Sequence, residues 1–222
     1  MAIQDRAIRT RRTIVEAAAK VFEERGYQAA TIAEILSVGK VTKGALYFHF
    51  DSKEALARGL LVEQDVASMA IPPRACKLQE LVDTVAVQAY RLRTDAVVRA
   101  AVRLTMDHRA QGLDRGNAFM RWIEVLTEIL EQAAQQSEVL PQVNPAETAE
   151  LIVGAFAGVQ AMSQALTGYQ DVGERAEILL RHVLPSVAVS SVLASLDLSS
   201  DRGRRVANEL ETAPKLREQR LA

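Results

Sequence analysis

Val41-Thr-Lys-Gly-Ala-Leu-Tyr-Phe-His-Phe50, followed at once by Asp51-Ser-Lys-Glu-Ala-Leu56, is the stretch whose reading decides the fold. Thr42 is a helix-start residue whose hydroxyl can accept from an amide in the first turn. A helix from there to about His49 is too short to bury much. Val41 and Leu46 are spaced to plug inward, which leaves Thr42, Lys43, Gly44 and Tyr47 on the outer side. Asp51-Ser-Lys-Glu54 then opens another helix. A short helix with a polar outer face is expected to offer that face to something outside the chain.

The residues before this stretch supply its setting. Val15, Ala18, Ala19 and Phe22 recur at helical spacing from Arg6 to Arg25, and Gly26 is a natural stop. Thr31-Ile-Ala-Glu34 is a capping box. Ile32, Ile35 and Leu36 follow on one face, to an end near Val38-Gly39. Two short helices, 31–38 and 42–49, braced by a longer one, read as a helix-turn-helix. That motif places the start of its second short helix in the major groove of DNA. The candidate DNA contacts are Thr31, Lys40, Thr42, Lys43, Gly44, Tyr47, His49 and Lys53. Thr42 and Lys43 stand where helix amides also favour an anion. Gly44 lets a base or thymine methyl come close, and Tyr47, His49 and Lys53 are placed for phosphate oxygens. Arg6, Arg9, Arg11 and Arg12 form a basic arm that either meets a neighbouring phosphate or is solvated.

Charge agrees with that division. The 222 residues carry a net charge of −1, with a hydrophobic share of 49% that suits a soluble globular chain. Residues 1–53 hold nine Lys or Arg and six Asp or Glu, net +3; the other 169 hold eighteen and twenty-two, net −4. A basic first part on an acidic body points the first part at a polyanion. The single cysteine, Cys76, excludes an internal disulfide, and no Cys/His spacing resembles a metal site. The N-terminus lacks a signal-peptide pattern, and no uninterrupted apolar run reaches the ~20 residues of a bilayer span. A cytoplasmic protein without membrane attachment is expected. His49, His108 and His182 lie far apart, and neither a nucleophile motif nor a phosphate loop is present. The chain is not read as an enzyme, and no cofactor is expected.

The remainder also reads as helix. One runs from Asp51 to about Met69 and is broken by Ile71-Pro-Pro-Arg74. Others carry Leu78 to Arg93, Asp95 to Met106, and Asn117 through Trp122 to Leu130, with a loop at Gly112–Gly116. Asn144-Pro-Ala-Glu147 opens a strongly apolar helix that Gly168 closes. A last helix is expected from Glu174 to Ala194 with a kink at Pro185, and 198–222 as a frayed polar tail. The fold class is all-α: a helix-turn-helix domain over 1–53 and a ligand-binding and dimerisation bundle over 54–197. The boundary falls inside a helix, which can transmit displacement.

From Ile14 to Leu56 the chain resembles the TetR family of bacterial transcriptional repressors. The resemblance is carried by Ile14-Val-Glu-Ala-Ala-Ala, Arg25-Gly-Tyr27, Thr31-Ile-Ala-Glu-Ile35 and the Val41–Phe50 stretch. A narrower likeness, to about Leu196, is to the γ-butyrolactone autoregulator receptors of filamentous actinobacteria. It rests on Arg99-Ala-Ala-Val-Arg-Leu104, Gly112-Leu-Asp114, Arg121-Trp122, Gly154-Ala-Phe-Ala-Gly-Val-Gln160 and Tyr169-Gln-Asp171. The resemblance implies a homodimeric repressor on a pseudo-palindromic operator, released by a small diffusible lactone-type signal. It implies Trp122 as a pocket residue and a dimer seam from the last two long helices, with Gly154 and Gly158 allowing close approach. Gln64, Gln88, Thr105, Gln160 and Gln164 are candidate polar anchors, and Met106, Leu126 and Phe156 candidate walls. Ligand binding is expected to shift the 51–69 helix and so change the separation of the two recognition helices. A butyrolactone, a butenolide or a methylfuran would suit such a pocket. The alternatives are a pseudo-receptor answering antibiotics or other small molecules, and an efflux-gene repressor. One departure stands out: the family usually reads Ala-Gly-Val before the recognition helix, and here it is Gly39-Lys40-Val41.

Overall fold

The computed structural model describes residues 2–68, 71–106 and 115–221. The helices are α1 (Ala2–Ala29), α2 (Ile32–Gly39), α3 (Lys43–His49), α4 (Lys53–Ser68), α5 (Lys77–Thr94) and α6 (Ala96–Met106). After them come α7 (Arg115–Gln135), α8 (Pro145–Thr167), α9 (Val172–Val183), a 3-10 turn (Leu184–Ser186), α10 (Ser190–Leu193) and α11 (Arg202–Leu221). Among the described residues no strand forms; one isolated antiparallel bridge pairs Val139 with Ala188. The all-α reading holds.

The chain divides into two compact units, Met1–Ala67 with Asp95–Ala118, and Ser68–Thr94 with Phe119–Ala222. The first is thus larger than a 1–53 domain and takes in α6. Its core is built on α1: Ile14, Ala18 and Phe22 meet Ile35 of α2, Leu46 of α3, Leu56 and Leu60 of α4, and Ala100, Ala101 and Leu104 of α6. Polar contacts reinforce α6 on α1. Arg99 pairs with the Glu23 carboxylate, and Arg103 donates to the Glu23 carbonyl. At Gly26 (φ 76°, ψ 165°) the backbone leaves the helical region, so the long helix stops there as its glycine suggests, and a short helical turn carries the chain on to Ala29. Ser52 begins α4: its Oγ accepts from the Ala55 amide at 3.0 Å. Met69, His108 and Gly112–Asp114 lie outside the described residues, whereas Gly116 and Asn117 are already inside α7.

In the second unit α5 is the most deeply set helix, with Leu78, Leu81, Val82, Val85, Val87 and Leu92 all buried. Its first amides are capped from far along the chain. The buried Glu138 carboxylate accepts from Lys77 N at 3.0 Å and Leu78 N at 2.8 Å. Cys76 Sγ also donates to Glu138, and burial pushes that thiol up, away from the thiolate. The 174–194 helix is corrected. It ends at Val183, because Leu140 N donates to Val187 O (2.8 Å) and Val189 N to Glu138 O (3.0 Å), which diverts the backbone from the helix.

The frayed tail is corrected too. The stretch 202–221 is helical and packs on α5, with Val206 buried. Gly203 permits the close approach, since a Cβ there would lie 2.0 Å from Ala86 O. The anchor is Asp83, fully buried on α5. Arg202 grips both its oxygens at 2.7 Å, Arg74 adds a bond at 2.7 Å, and Gln79 Nε2 donates at 2.9 Å. Burial alone would push Asp83 up, but the hydrogen bonds from Arg202, Gln79 and Arg74 outweigh it and hold the carboxyl below its usual range. A depressed carboxylate contributes stability that is complete above its unfolded value, about 3.9, and is lost as pH falls through the folded value.

Asp83→Asn is therefore expected to destabilise the second unit by about 3 kcal/mol at neutral pH. It should also flatten the fall of Tm with acidification below about pH 4. Thermal melts of both proteins across that range check this, and parallel curves would show that α11 is held by its apolar contacts alone.

Candidate DNA-binding and regulatory sites

The turn between α2 and α3 is built from backbone bonds. Lys40 adopts φ 50°, ψ 40°, the left-handed region. Its amide reaches Ser37 O and that of Val41 reaches Leu36 O at 3.2 Å. This is the Schellman pattern, in which a residue past the helix end turns the chain and an apolar pair seals it. Here the pair is Leu36 and Val41, both packed against the core. Lys40 thus bears the cost of a conformation that suits glycine. Gly39 does not relieve it: it stays helical, where a Cβ would come within 3.0 Å of the Ala17 Cβ.

Thr42 caps α3 by accepting from Ala45 N at 3.2 Å. Leu46 and Phe50 turn into the core, while Thr42, Lys43, Gly44 and Tyr47 are exposed. Lys43 Nζ lies 5.9 Å from the Tyr47 ring centre. Nothing lies within 4 Å of where a Gly44 Cβ would be. His49 is half-buried at the end of α3, and its ring meets Phe48 edge-on. Phe48, absent from the sequence-based set, is 80% exposed. Thr31 is occupied as a cap. Its Oγ1 accepts from Glu34 N (3.2 Å), while its hydroxyl (2.8 Å) and its amide (3.0 Å) donate to Glu34 Oε2, and those two donors hold the Glu34 carboxyl below its usual range.

Lys53 is a correction. Its ammonium donates to the carbonyls of Tyr27 (2.9 Å), Gln28 (3.3 Å) and Ala30 (3.0 Å), and lies 4.7 Å from the Tyr27 ring centre. Three donors are matched by three acceptors, which leaves none for a phosphate. Lys53 ties the end of α1 to the start of α4.

The candidate ligand residues fall into both units. Thr105 and Met106 lie on α6 in the first; Thr105 Oγ1 donates to Ala101 O within its own helix, and Met106 is exposed. Gln64 lies on α4, and its side-chain surroundings are outside the described residues. In the second unit Leu126 and Phe156 are buried, Trp122 and Gln160 half-buried, and Gln164 exposed. Gln88 is distinct: it is 3% exposed on α5 and its Oε1 meets no donor. A buried amide oxygen without a partner is costly and uncommon.

On α8, Leu151, Gly154, Gly158, Met162 and Leu166 form an exposed stripe, and a Cβ at either glycine meets nothing within 4 Å. By length and composition α8 is long and apolar enough to cross a membrane, with a mean hydropathy of 1.2 over eighteen residues. Core helices of soluble proteins share that length and composition. The α8–α9 corner is braced at Asp171, which accepts from Ser163 (2.6 Å) and Thr167 (2.7 Å) and pairs with Arg175 (2.8 Å). These partners, Arg175 foremost, hold its carboxyl far below the usual range. Gly168 and Tyr169, both at positive φ, turn the chain there.

Two short helices joined by a left-handed turn on a longer brace, with an exposed second helix, define a helix-turn-helix DNA-binding regulator. Residues 14–60 match the model of the bacterial regulatory proteins of the tetR family. Over 196 residues the chain is 40% identical to the A-factor receptor protein of Streptomyces griseus, covering 88% of this chain and 70% of that protein. The crystal structure of full-length native TylP, a TetR regulator from Streptomyces fradiae, matches with a TM-score of 0.85 and 44% identity over 92% of this chain and 98% of TylP. A gamma-butyrolactone receptor, an ArpA-like protein, matches with a TM-score of 0.67 and 28% identity over 92% and 98%. The chain belongs to the TetR family of transcriptional regulators.

Lys53→Met is expected to lower the stability of the first unit by about 1–2 kcal/mol, because the part-buried carbonyls of Tyr27 and Ala30 lose a charged donor. Lys43→Met should leave it within about 0.5 kcal/mol. Denaturant titration separates the two, and equal stabilities would remove the clamp. Lys40→Gly is expected to raise Tm by roughly 2–4 °C through relief of the left-handed turn, and an unchanged Tm in the same melts would show that Lys40 is unstrained.

Proposed function

We propose that this protein is a ligand-responsive repressor that binds a pseudo-palindromic operator as a homodimer and leaves it when a small lactone-type signal of secondary metabolism binds. The observation that carries this reading is the reach of the likeness: 40% identity extends over 196 residues, far beyond the 14–60 reader, to a protein named for its signal. A gamma-butyrolactone receptor shares the fold across 92% of the chain. In this reading Lys40, Lys43, Tyr47 and His49 meet operator phosphates and Gly44 lies against the bases. Thr31 and Thr42 hold the helices that present them.

The second unit binds the signal. Gln88 is the proposed polar anchor, since a ligand hydroxyl would satisfy its buried Oε1. Trp122 is the proposed aromatic wall; Leu126 stands on the same helix, α7, and Phe156 and Gln160 on α8 of the same unit. The α8 stripe through Gly154 and Gly158 is the proposed seam with a second copy. Symmetry of that pairing presents two α3 helices to successive major grooves. Release follows if the signal favours the conformer that binds DNA poorly; a coupling of about 3 kcal/mol would weaken operator binding ~150-fold.

The test is a gel shift on a probe from the gene's own upstream region, with and without a panel of butyrolactones, butenolides and furans. One class is expected to abolish binding by the natural protein. Gln88→Met and Trp122→Ala should bind the probe and ignore the signal. Binding that no lactone, butenolide or furan disturbs, but an antibiotic does, would replace the lactone reading with the pseudo-receptor. Gly158→Arg is expected to keep the monomer fold, having open space around its Cβ, and to shift the light-scattering mass to that of one chain. A mass that stays dimeric would move the seam elsewhere.

A further inference from the structure

Among the described large hydrophobic side chains, Phe48 is the most exposed, at 80%. It stands on the short helix α3, one turn after Gly44 and beside Tyr47, which is 42% exposed. The buried positions of that helix and its C-cap are taken by Leu46 and Phe50. The His49 ring meets it edge-on, with centroids 5.0 Å apart and planes at 84°, which braces the phenyl ring at the surface. Gly44, the residue beneath it at i−4, has no side chain to shield it, and the space there is open.

A bare phenyl ring on the helix that faces DNA needs an apolar partner. Phosphates and the amino, carbonyl and ring-nitrogen edges of bases offer none. The one apolar group on a base edge in the major groove is the thymine 5-methyl. We propose that Phe48 is a specificity-determining residue that packs on the 5-methyl of a thymine in each operator half-site. Lys43 and Tyr47 then position α3 through the backbone, and Phe48 reads a base, in the division of labour common to such interfaces. The inference rests on the DNA-binding reading above and adds a base to it.

The experiment uses the full-length protein and an operator recovered by selection from random duplexes. Each thymine of one half-site is replaced in turn by deoxyuridine, which removes only the methyl. The natural protein is expected to lose about fourfold in affinity at one position, the value of one buried methyl. Phe48→Ala should keep its Tm, bind the thymine and uracil probes equally, and so close the cycle; Phe48→Leu should keep part of the discrimination. Two results would overturn the proposal while leaving DNA binding intact: no thymine sensitive to the change, or a Phe48→Ala protein that still discriminates at the same position. A uniform loss with Phe48→Ala on both probes also overturns it, placing the ring on sugar instead of base. Failure of the natural protein to enrich any duplex would overturn the DNA-binding reading itself, and this proposal with it.

Discussion

The ammonium of Lys53 lies against the carbonyls of Tyr27 and Gln28 at the end of α1 and of Ala30 just after it, and the first unit is organised around that contact. A helix end leaves carbonyls without intrahelical partners, and burying them unpaired is costly. Here α1 breaks at Gly26, turns, and hands the chain to the Thr31 capping box. One charged side chain from the start of α4 closes that corner. Because α2 and α3 sit on the same brace, the corner also sets where the exposed face of α3 stands. Arg99 and Arg103 of α6 fasten to Glu23, just before the break, so a second helix bears on the same point. Any displacement of α4 or α6 would act on α1 there, and through α1 on the reader.

The second unit holds its polar groups differently. Asp83 is buried, yet saturated by Arg202, Arg74 and Gln79, and Glu138 is buried, yet occupied by the amides that begin α5. Both are the kind of buried charge that survives because every oxygen has a donor. Gln88 on the same helix is the contrast, an amide oxygen within the fold without a donor from the protein. A helix that satisfies its other polar groups so fully makes that exception informative, and a ligand that supplies a donor resolves it.

Much of this was legible in the residues. The capping box at Thr31, the side-chain cap at Asn144, the apolar spacing of α1 and the polar start of α3 identify the helices and the motif because they are local effects within a turn or two. The departure from the family's Ala-Gly-Val at Gly39-Lys40-Val41 was legible too, and the φ of 50° at Lys40 puts a side chain where glycine is at ease. Less legible was the fate of each polar side chain. Lys53 reads as a surface cation in sequence and is a clamp in the fold. The tail reads as charged and aperiodic, yet Arg202, Val206 and Glu209 recur at helical spacing, and the first of these finds Asp83 more than a hundred residues earlier.

By itself, then, the sequence determined an all-helical chain with a helix-turn-helix at its start and a long apolar helix with a glycine stripe near its end. Those properties follow from neighbours within a few residues. Only the tertiary structure decided that α6 belongs with the reader, that α11 docks on α5, that Lys53 is engaged, and that Phe48 stands in the open. Each depends on which distant groups meet, because burial and pairing are properties of the assembled core and not of the spacing along the chain.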